Sequence, residues 1–590
     1  MPTPHEEQLQ LRIRELEKEV ARLHAQIKQQ RYGLNWIDVP EAFDEESENK
    51  IPTLEEVPEL SFKTDDGKPT HILIEGDNYH ALKCLNYTHR GKVDVIYIDP
   101  PYNTGSDGFI YKDKRMLDRY PDGTPVPVGS PQRHSYWLSF MHRRLELAKN
   151  LLSERGVIFI SIDDNEQANL KLLCDEIMGA KNFIGQIILK TATDNNPSQI
   201  NVEHEYMLCY CKTKEAQSNW ERQSQAAKRI INEYKSLLRQ GLDTECIQHE
   251  LRAWIRANRD TLPQVAHYNN VDERGVYSSS TNSSNPHPGG YVYDIYHPIT
   301  KKPCPKPRNG WRWPFVTFDI YDKKGEVKWG VDETTQPHIK KRIETATEYL
   351  RSLIYEDNRG TTIALASIFK GENVFDNPKP HTVLSRIFDF VSSKNSIILD
   401  FFAGSGTTMH ATMNLNEEDG GQRQCILVQL NEADICRNVT YERNRRVMQG
   451  YTDARGNEVA GLGNSLKYYR TAFVGENDAK HANEQDRLLL SQKAGCLLAL
   501  AENTLEETLC TTHYQLFTNG TRLTAVYFKE DLCLFDEFVE HVRNAAKPAS
   551  VYVFCWGSAD EFLYNFEDIA KVSLKSIPEP ILKIYQTLNR

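Results

Sequence analysis

One stretch constrains the fold more than any other: VDVIYIDPPYNTG, Val93–Gly105. Its first six residues are apolar or aromatic apart from one acid, a pattern that predicts a strand buried in a parallel sheet. The strand is followed by a carboxylate, two prolines and an aromatic residue: Asp99, Pro100, Pro101 and Tyr102. Ligands and chemistry in open α/β sheets lie at the carboxyl ends of strands, so this loop is a candidate site.

The residue types of this loop suit a particular substrate group. Two prolines fix φ and lack an N–H, so the loop is rigid and rich in hydrogen-bond acceptors. Asp99 and the carbonyl of Pro100 can accept both hydrogens of an exocyclic amine, while Tyr102 can stack on the ring that bears it. An ordinary proline-rich turn at a strand end is the alternative interpretation.

A second strand end lies far downstream, in SIILDFFAGSGTT, Ser396–Thr408. A short buried strand is predicted over Ile397–Leu399, and Asp400 ends it. Gly404 to Gly406 form a tight turn before a predicted helix over Thr407–Leu415. Glycines let a ligand approach the backbone closely, and a helix start offers free N–H groups. The acid before the glycines suits a ligand with an ammonium group, and neither common phosphate-binding glycine pattern is present.

The two motifs together resemble the amino-group DNA methyltransferases of the β class, in which the catalytic motif precedes the cofactor motif. The resemblance is closest to the modification subunits of Type III restriction–modification systems and their stand-alone relatives, and it runs from about Tyr32 to Val474. It implies S-adenosylmethionine as cofactor and the N6 amine of a flipped-out adenine in duplex DNA as methyl acceptor. The implied catalytic residues are Asp99, Pro100, Pro101 and Tyr102.

The resemblance also implies a set of cofactor-binding residues. Asp77, at a strand end before the catalytic motif, would contact the adenine side of the cofactor or simply cap a helix. Lys379 would meet the methionine carboxylate or face solvent. The ribose partner stays open, because Gln429 stands where a Glu is usual and Glu432 follows three residues later. The full set is Asp77, Lys379, Asp400, Phe402, Gly404, Ser405, Gly406, Thr407, Gln429 and Glu432.

The charge distribution points to where DNA would bind. The chain has 590 residues and a net charge of −11, which is unusual for a protein that contacts phosphates. Between Lys301 and Glu344, however, eleven Lys or Arg stand against six Asp or Glu. Aromatic residues among these cations fit base stacking and backbone contact, although an irregular β insertion is the alternative. The predicted DNA-binding residues are Lys301, Lys306, Arg308, Trp311, Arg312 and Trp313.

Other features set expectations about assembly and location. Glu6–Gln29 has apolar residues at heptad spacing, which predicts either a short coiled coil or a helix on its own globule. Related modification subunits act as dimers, so a homodimer is expected, with double-stranded DNA and a separate restriction subunit as further partners. The twelve cysteines show no zinc spacing, so no metal is expected. With no apolar run of membrane-spanning length, a cytoplasmic protein is expected.

The predicted fold class is α/β: a doubly wound, mostly parallel methyltransferase sheet formed by two halves of the sequence. An acidic connector is expected over Val39–Asp66, and a C-terminal helix over Gln485–Cys510. The predicted domains are an N-terminal helix (1–35), a first half with the catalytic motif (36–214), an inserted target-recognition domain (215–360), a second half with the cofactor loop (361–465) and a small α/β domain (466–590).

The predicted function is site-specific adenine methylation of DNA within a restriction–modification or related defence system. Two alternatives remain at this level. One is the same chemistry on another substrate, such as an RNA base. The other is a non-catalytic DNA-binding or assembly subunit that has kept the fold.

Overall fold

The computed structural model describes residues 51–105, 113–120, 123–190, 199–262, 264–279, 283–356, 358–474, 484–529, 531–555, 559–579 and 581–582, with a few residues before position 42. The chain divides into two compact units, Met1–Ser218 with Arg351–Arg590 and Asn219–Leu350. Nearly all of the predicted N-terminal helix lies outside the described residues. Within them, no helix combines the length and apolar character needed to cross a membrane.

The first half of the larger unit alternates strands and helices, as the apolar pattern predicts. Helix α1 starts at a capped end, where Asp77 Oδ1 accepts a 2.8 Å hydrogen bond from the Tyr79 N–H. The elements are β1 (Ile51–Glu56), β2 (Thr70–Glu75), α1 (Asn78–Thr88), β3 (Val93–Ile98), α2 (Ser135–Leu151), β4 (Leu152–Ile162), α3 (Gln167–Cys174), β5 (Phe183–Lys190) and β6 (His204–Cys211).

The smaller unit has a hydrophobic core of its own, formed by two amphipathic helices that bury Ile230, Ile247 and Leu251. Its first and last strands pair antiparallel with each other. The elements are β7 (Glu221–Gln223), α4 (Gln225–Arg239), α5 (Thr244–Ala257), β8 (Asn270–Asp272), β9 (Gly275–Ser278), α6 (Phe315–Lys323), β10 (Val327–Lys328), β11 (His338–Ile339), β12 (Lys341–Arg342) and β13 (Thr347–Tyr349).

The chain then returns to the larger unit. Its second half contains β14 (Leu353–Tyr355), α7 (Asn358–Ile368), α8 (His381–Val391), β15 (Ile397–Asp400), α9 (Thr407–Asp419), β16 (Gln424–Gln429), α10 (Glu442–Gln449), β17 (Gly450–Thr452), β18 (Glu458–Ala460) and β19 (Ser465–Val474). The C-terminal part contains α11 (Glu484–Glu502), β20 (Glu506–Cys510), β21 (Tyr514–Thr518), β22 (Leu523–Tyr527), α12 (Phe535–Asn544), β23 (Ala549–Val553) and β24 (Val572–Lys575).

Ten strands of the larger unit form one sheet in the order β1-β19-β2-β16-β15-β3-β4-β6-β5-β14. The six strands from β19 to β4 are mutually parallel. The predicted α/β fold with a doubly wound, mostly parallel sheet is therefore confirmed. A further five strands, β20 to β24, form a small C-terminal sheet.

The two motif-bearing strands lie side by side at the centre of the sheet. Val95 pairs with Ile398 and Ile96 with Leu399, all four with at most 1% of their surface exposed. Because β3 and β15 are parallel, the residues that follow them leave the same edge of the sheet. This register is what brings the two loops together.

Two expectations about local structure are wrong. The predicted connector over Val39–Asp66 contains β1, an edge strand paired antiparallel with β19. The predicted helix over Gln485–Cys510 ends at Glu502, because Asn503 takes a left-handed conformation (φ 54°) and the next segment is a strand. The buried face of that helix joins the core of the large sheet through Leu497 and Leu498.

Candidate active site

The loop after β3 is held in place by hydrogen bonds with neighbouring side chains. The carbonyl of Pro101 accepts a 2.8 Å hydrogen bond from the indole N–H of Trp137, a side chain that is fully buried. Asn103 then turns the chain with a positive φ of 61°. Its side-chain amide donates to Glu166 (2.6 Å), and its backbone N–H donates to Asp113 (3.2 Å). These contacts fix the direction in which Asp99 and Tyr102 face before any ligand binds.

Asp99 belongs to a cluster of four polar side chains. The Tyr102 hydroxyl donates to Asp99 Oδ1 at 2.6 Å, and Lys379 Nζ lies 3.0 Å from Asp99 Oδ2. The fourth member is Glu205, whose Oε2 lies 3.2 Å from Lys379 Nζ and 3.3 Å from the Tyr102 hydroxyl. One ammonium group therefore lies between two carboxylates at the centre of the site.

Lys379 lies beside Asp99 with its side chain only 11% exposed, so the interpretation that it faces solvent is wrong, and its contact with the cofactor stays a prediction. Burial opposes its charge, but Asp99 and Glu205 outweigh this effect and raise the pKa of Lys379 above its ordinary value. Lys379 is consequently a charged group at neutral pH, directed at the Asp99 carboxylate.

Glu205 is the functional candidate that sequence reasoning missed. Burial raises the pKa of its carboxyl group, an effect that Lys379 opposes. One carboxylate oxygen, Oε1, is buried without a hydrogen-bond partner. The residue lies on strand β6 and belongs to no recognisable motif, so only its contacts with Lys379 and Tyr102 in the folded chain reveal its place at the site.

The glycine loop after β15 is shaped by its backbone. Gly404 and Gly406 have positive φ values of 50° and 76°. A Cβ on Gly406 would lie 2.3 Å from Asn444 Nδ2, whereas a Cβ on Gly404 would lie 3.2 Å from the Phe375 ring. Gly406 is thus required by packing against α10 and the residues before it, and it does not line the cavity described below.

Asp400 is buried at the base of this loop. Its carboxyl group accepts hydrogen bonds from the Phe402 N–H (3.0 Å) and the Thr408 hydroxyl (2.6 Å). Burial, which exceeds the effect of these bonds, raises the pKa of Asp400 to about 7. The group therefore titrates near neutral pH and would ionise more readily beside a cationic ligand.

A buried arginine, Arg443, supports the glycine loop through hydrogen bonds to two of its hydroxyl groups. Arg443 Nη1 donates to the hydroxyls of Ser405 (2.9 Å) and Thr407 (2.8 Å). Burial lowers the pKa of Arg443 to about 9. The two hydroxyls are therefore fixed in orientation by a guanidinium group outside the cavity.

The two residues considered for the ribose differ in their freedom to bind. Gln429 Oε1 accepts a 2.7 Å hydrogen bond from the Gly404 N–H, and its Nε2 donates to the Leu430 carbonyl. Glu432 is exposed and lines the same cavity. Asp77, besides capping α1, lies 3.3 Å from the buried Arg144.

These loops enclose a single cavity of about 580 Å³. Its wall contains the four catalytic candidates and every predicted cofactor residue except Gly406. They are Asp99, Pro100, Pro101, Tyr102, Asp77, Lys379, Asp400, Phe402, Gly404, Ser405, Thr407, Gln429 and Glu432. Eight carboxylate side chains but only two cationic ones, Arg115 and Lys379, line it.

The predicted DNA-binding residues lie in the smaller unit, and one of them is unsuited to its predicted role. Trp311 is only 2% exposed, and its indole N–H donates to the Tyr293 carbonyl at 2.8 Å. Because it forms part of the core, the prediction that Trp311 contacts DNA is corrected. Trp313 is half-buried, with the Arg312 guanidinium 5.3 Å from its ring centre.

Some cations of this unit are paired with acidic side chains, whereas three of the predicted DNA-binding cations are not. Lys306 is exposed but paired with Asp294 at 2.9 Å, and Arg342 is held between Asp272 and Glu326. Lys301, Arg308 and Arg312 are exposed and make no ion pair with any described residue. Among the predicted DNA-binding cations, these three are therefore available to a polyanion.

The sequence matches the family described as DNA methylase over residues 93–436, more than half of the chain. The chain belongs to the DNA methylase family. This methylase is 38% identical over 377 residues to the Type III restriction-modification enzyme EcoP15I Mod subunit of Escherichia coli, which covers 61% of this chain and 58% of that protein.

Two further relatives extend the comparison. The methylase is 33% identical to the Type III restriction-modification enzyme StyLTI Mod subunit of Salmonella typhimurium, over 68% of this chain and 59% of that protein. It is 30% identical to the Type II methyltransferase M.KpnI of Klebsiella pneumoniae, over 68% of this chain and 90% of that protein. The methylase thus spans about six-tenths of the length of the two Mod subunits, and the resemblance inferred from its two motifs is confirmed.

Proposed function

We propose that this methylase transfers a methyl group from S-adenosylmethionine to the N6 amine of adenine in duplex DNA. One observation carries the proposal: Asp99 and the Gly404 loop, at the ends of neighbouring parallel strands, line the same cavity. A cavity of about 580 Å³ is within the range of small-molecule sites, roughly 300–1,000 Å³.

The chemistry of the wall fits the proposed cofactor. Eight carboxylates against two cations suit a ligand that carries a sulfonium and an ammonium group. Asp400 would ionise beside the ammonium group, and the glycine backbone would allow close approach. Glu432, whose carboxylate is exposed at the cavity, is the better candidate for the ribose hydroxyls, because Gln429 is already bonded to the loop. When bound, the cofactor supplies an electrophilic methyl group.

On the acceptor side, Asp99 would accept a hydrogen bond from the amine. The lone pair of a base amine is delocalised into the ring, and hydrogen bonding to its N–H groups favours the pyramidal, nucleophilic form. In this proposal Lys379 and Glu205 act as positioning residues: Glu205 holds Lys379, and Lys379 orients the Asp99 carboxylate. Much of the acceleration would come from this fixed placement of the reacting groups.

Adenine inside a duplex cannot reach Asp99, so the proposal includes flipping the base, at a cost of a few kcal/mol. Stacking on the Tyr102 ring, worth on the order of 1–3 kcal/mol, would offset part of that cost. The same stacking would orient the amine towards Asp99, three residues earlier in the loop.

We assign target recognition to the insertion, predicted as residues 215–360. Its exposed cations Lys301, Arg308 and Arg312 suit phosphate or base-edge contacts. Exchanging Asn219–Leu350 for the matching segment of a relative with another target should change the methylated sequence while Asp99 to Tyr102 stay functional. An active chimera that still methylates the original sequence would place recognition elsewhere.

The names of the Mod relatives support a further part of the proposal. We infer that the chain is the modification component of a restriction–modification or related defence system, working in the cytoplasm. A homodimer and a separate restriction subunit are proposed as its partners. The apolar heptads of Glu6–Gln29 are the sequence feature that favours self-association.

The direct test is modification-aware sequencing of DNA from cells that express the chain, with Asp99→Ala as control. N6-methyladenine at one sequence motif in the wild type, and at none in the variant, is the expected result. If RNA were methylated and DNA were not, the substrate would be an RNA base instead of adenine in DNA. A wild-type chain that binds DNA but leaves every adenine unmodified would favour the non-catalytic alternative.

A further inference from the structure

Three metal-ligating side chains converge in the C-terminal part of the chain, outside the cavity described above. They are His513, which precedes β21, and Asp531 and Cys533, in the loop between β22 and α12. His513 Nε2 lies 3.0 Å from Asp531 Oδ1 and 3.3 Å from Cys533 Sγ. All three ligand atoms lie within 4.8 Å of one another. The 18-residue gap in sequence explains why spacing alone does not reveal them.

The imidazole of His513 is oriented in the way that metal-binding histidines usually are. Its second nitrogen, Nδ1, lies 2.8 Å from the Thr512 hydroxyl. In the tautomer with the proton on Nδ1, the Nδ1–H donates a hydrogen bond to that hydroxyl, and Nε2 carries the lone pair. Such a hydrogen bond on the far nitrogen is the common device that fixes the tautomer of a metal ligand.

The same ring nitrogen faces both the carboxylate and the sulfur, which argues against a nucleophilic triad. In a triad the histidine links its two partners through different nitrogens. Here a nitrogen, an oxygen and a sulfur point at one place. Three electron-rich atoms at this distance repel one another unless a cation or a proton lies between them.

The backbone around the ligands is anchored to the small sheet. The Tyr527 hydroxyl donates to the Asp531 carbonyl at 2.9 Å, and the Phe528 N–H donates to the His513 carbonyl at 2.9 Å. Asp531 Oδ1 also accepts from the Cys533 N–H. The ligand-bearing segments are therefore tied to the same strand, β22, and to its end.

We propose that His513, Asp531 and Cys533 bind one zinc ion. Imidazole, carboxylate and thiolate are the three ligand types that Zn²⁺ takes, at about 2.0–2.3 Å. Tetrahedral ligands at those lengths lie roughly 3.3–3.6 Å apart, close to the two distances of 3.0 and 3.3 Å from His513 Nε2 to Asp531 and Cys533. The side chain of Asp531 is 60% exposed, so water has access to a fourth position.

The test uses the full chain, stripped of metal with a chelator and titrated with Co²⁺ alone. The wild type should bind one equivalent, giving visible absorption bands and a sulfur-to-cobalt charge-transfer band in the near ultraviolet. Zinc should displace the cobalt. Cys533→Ser should lose the charge-transfer band and weaken binding at least tenfold, and His513→Gln should weaken binding to a similar degree.

The matched control is Cys510→Ser, which removes another exposed thiol of the C-terminal sheet and should leave the cobalt spectrum unchanged. Circular dichroism of each variant excludes unfolding as the cause of a loss. A wild type that binds no cobalt, or a charge-transfer band that survives Cys533→Ser, would overturn the proposal and leave only a hydrogen bond between His513 and Asp531. Neither outcome depends on methylation activity.

Discussion

The two loops of the cavity are built by opposite means. After β3, ionised and hydroxyl side chains hold one another: Asp99, Tyr102, Lys379 and Glu205 form a network at 2.6–3.3 Å. After β15, the shape comes from positive φ angles at two glycines, over a carboxyl group whose pKa burial raises. Substitutions in the first loop should therefore change the rate, whereas those in the second should change stability and ligand affinity.

The largest effect is expected for Asp99→Asn, which keeps the size of the side chain and removes its charge. The turnover number should fall by about 10²–10³-fold, the usual cost of losing one positioned hydrogen-bonding group, because a neutral amide accepts a weaker hydrogen bond from the amine. Affinity for S-adenosylmethionine, measured by calorimetry, should change little. Loss of cofactor binding in this variant would mean that the two loops are not separable.

Gly406→Ala should show the opposite behaviour. The added methyl group would collide with Asn444. Alanine, unlike glycine, is also strained in the left-handed backbone conformation of this position. Together the two effects cost on the order of 2–4 kcal/mol. Thermal unfolding should occur at a lower temperature, and cofactor affinity should fall with it. Gly404→Ala, which meets only the Phe375 ring, is the milder comparison. Equal melting temperatures for the two variants would contradict this packing argument.

Asp400→Asn should alter how stability depends on pH. The folded pKa of about 7 lies above the ordinary value of 3.8, so as pH rises the unfolded chain loses this proton first. The wild type therefore loses stability between about pH 4 and pH 7, on the order of 3–4 kcal/mol. The variant lacks this loss, so its stability relative to the wild type should rise across that window.

Denaturant unfolding at several pH values measures this difference in the ligand-free protein. A constant stability gap between Asp400→Asn and the wild type from pH 4 to pH 7 would show that Asp400 is ionised throughout. The base of the glycine loop would then resemble the charged network after β3, and the contrast between the loops would weaken.

Glu205→Gln should have the smallest effect, about a tenfold loss of turnover with Km for the cofactor unchanged. The amide keeps the shape but loses a charge-assisted contact to Lys379, worth roughly 1.5–3 kcal/mol. The acidic limb of the wild-type rate profile, where Glu205 takes up a proton, should disappear in the variant. Glu203→Gln, which breaks a surface pair with Lys190, is the control. An unaltered pH profile in Glu205→Gln would reduce Glu205 to a packing role.

Sequence reasoning located both strand ends, because each couples a short apolar run to residues with few structural uses. The bounds of β3 follow from the apolar pattern. The role of Glu205 and the pairing of Lys379 with Asp99 were missed, because both depend on contacts between residues more than 100 positions apart in the sequence. Trp311 was misread because an aromatic residue among cations looks the same in a core as on a surface.

The place of β15 between β3 and β16 has a consequence for biosynthesis. About 300 residues separate β3 from its neighbour, with the whole smaller unit between them. At roughly 5–20 residues per second, a ribosome needs about 15–60 seconds to deliver that partner. Throughout this time the central edge of β3 has no strand to pair with, a state prone to aggregation. Synthesis of this chain should thus depend on chaperones more than that of a relative whose central strands emerge consecutively.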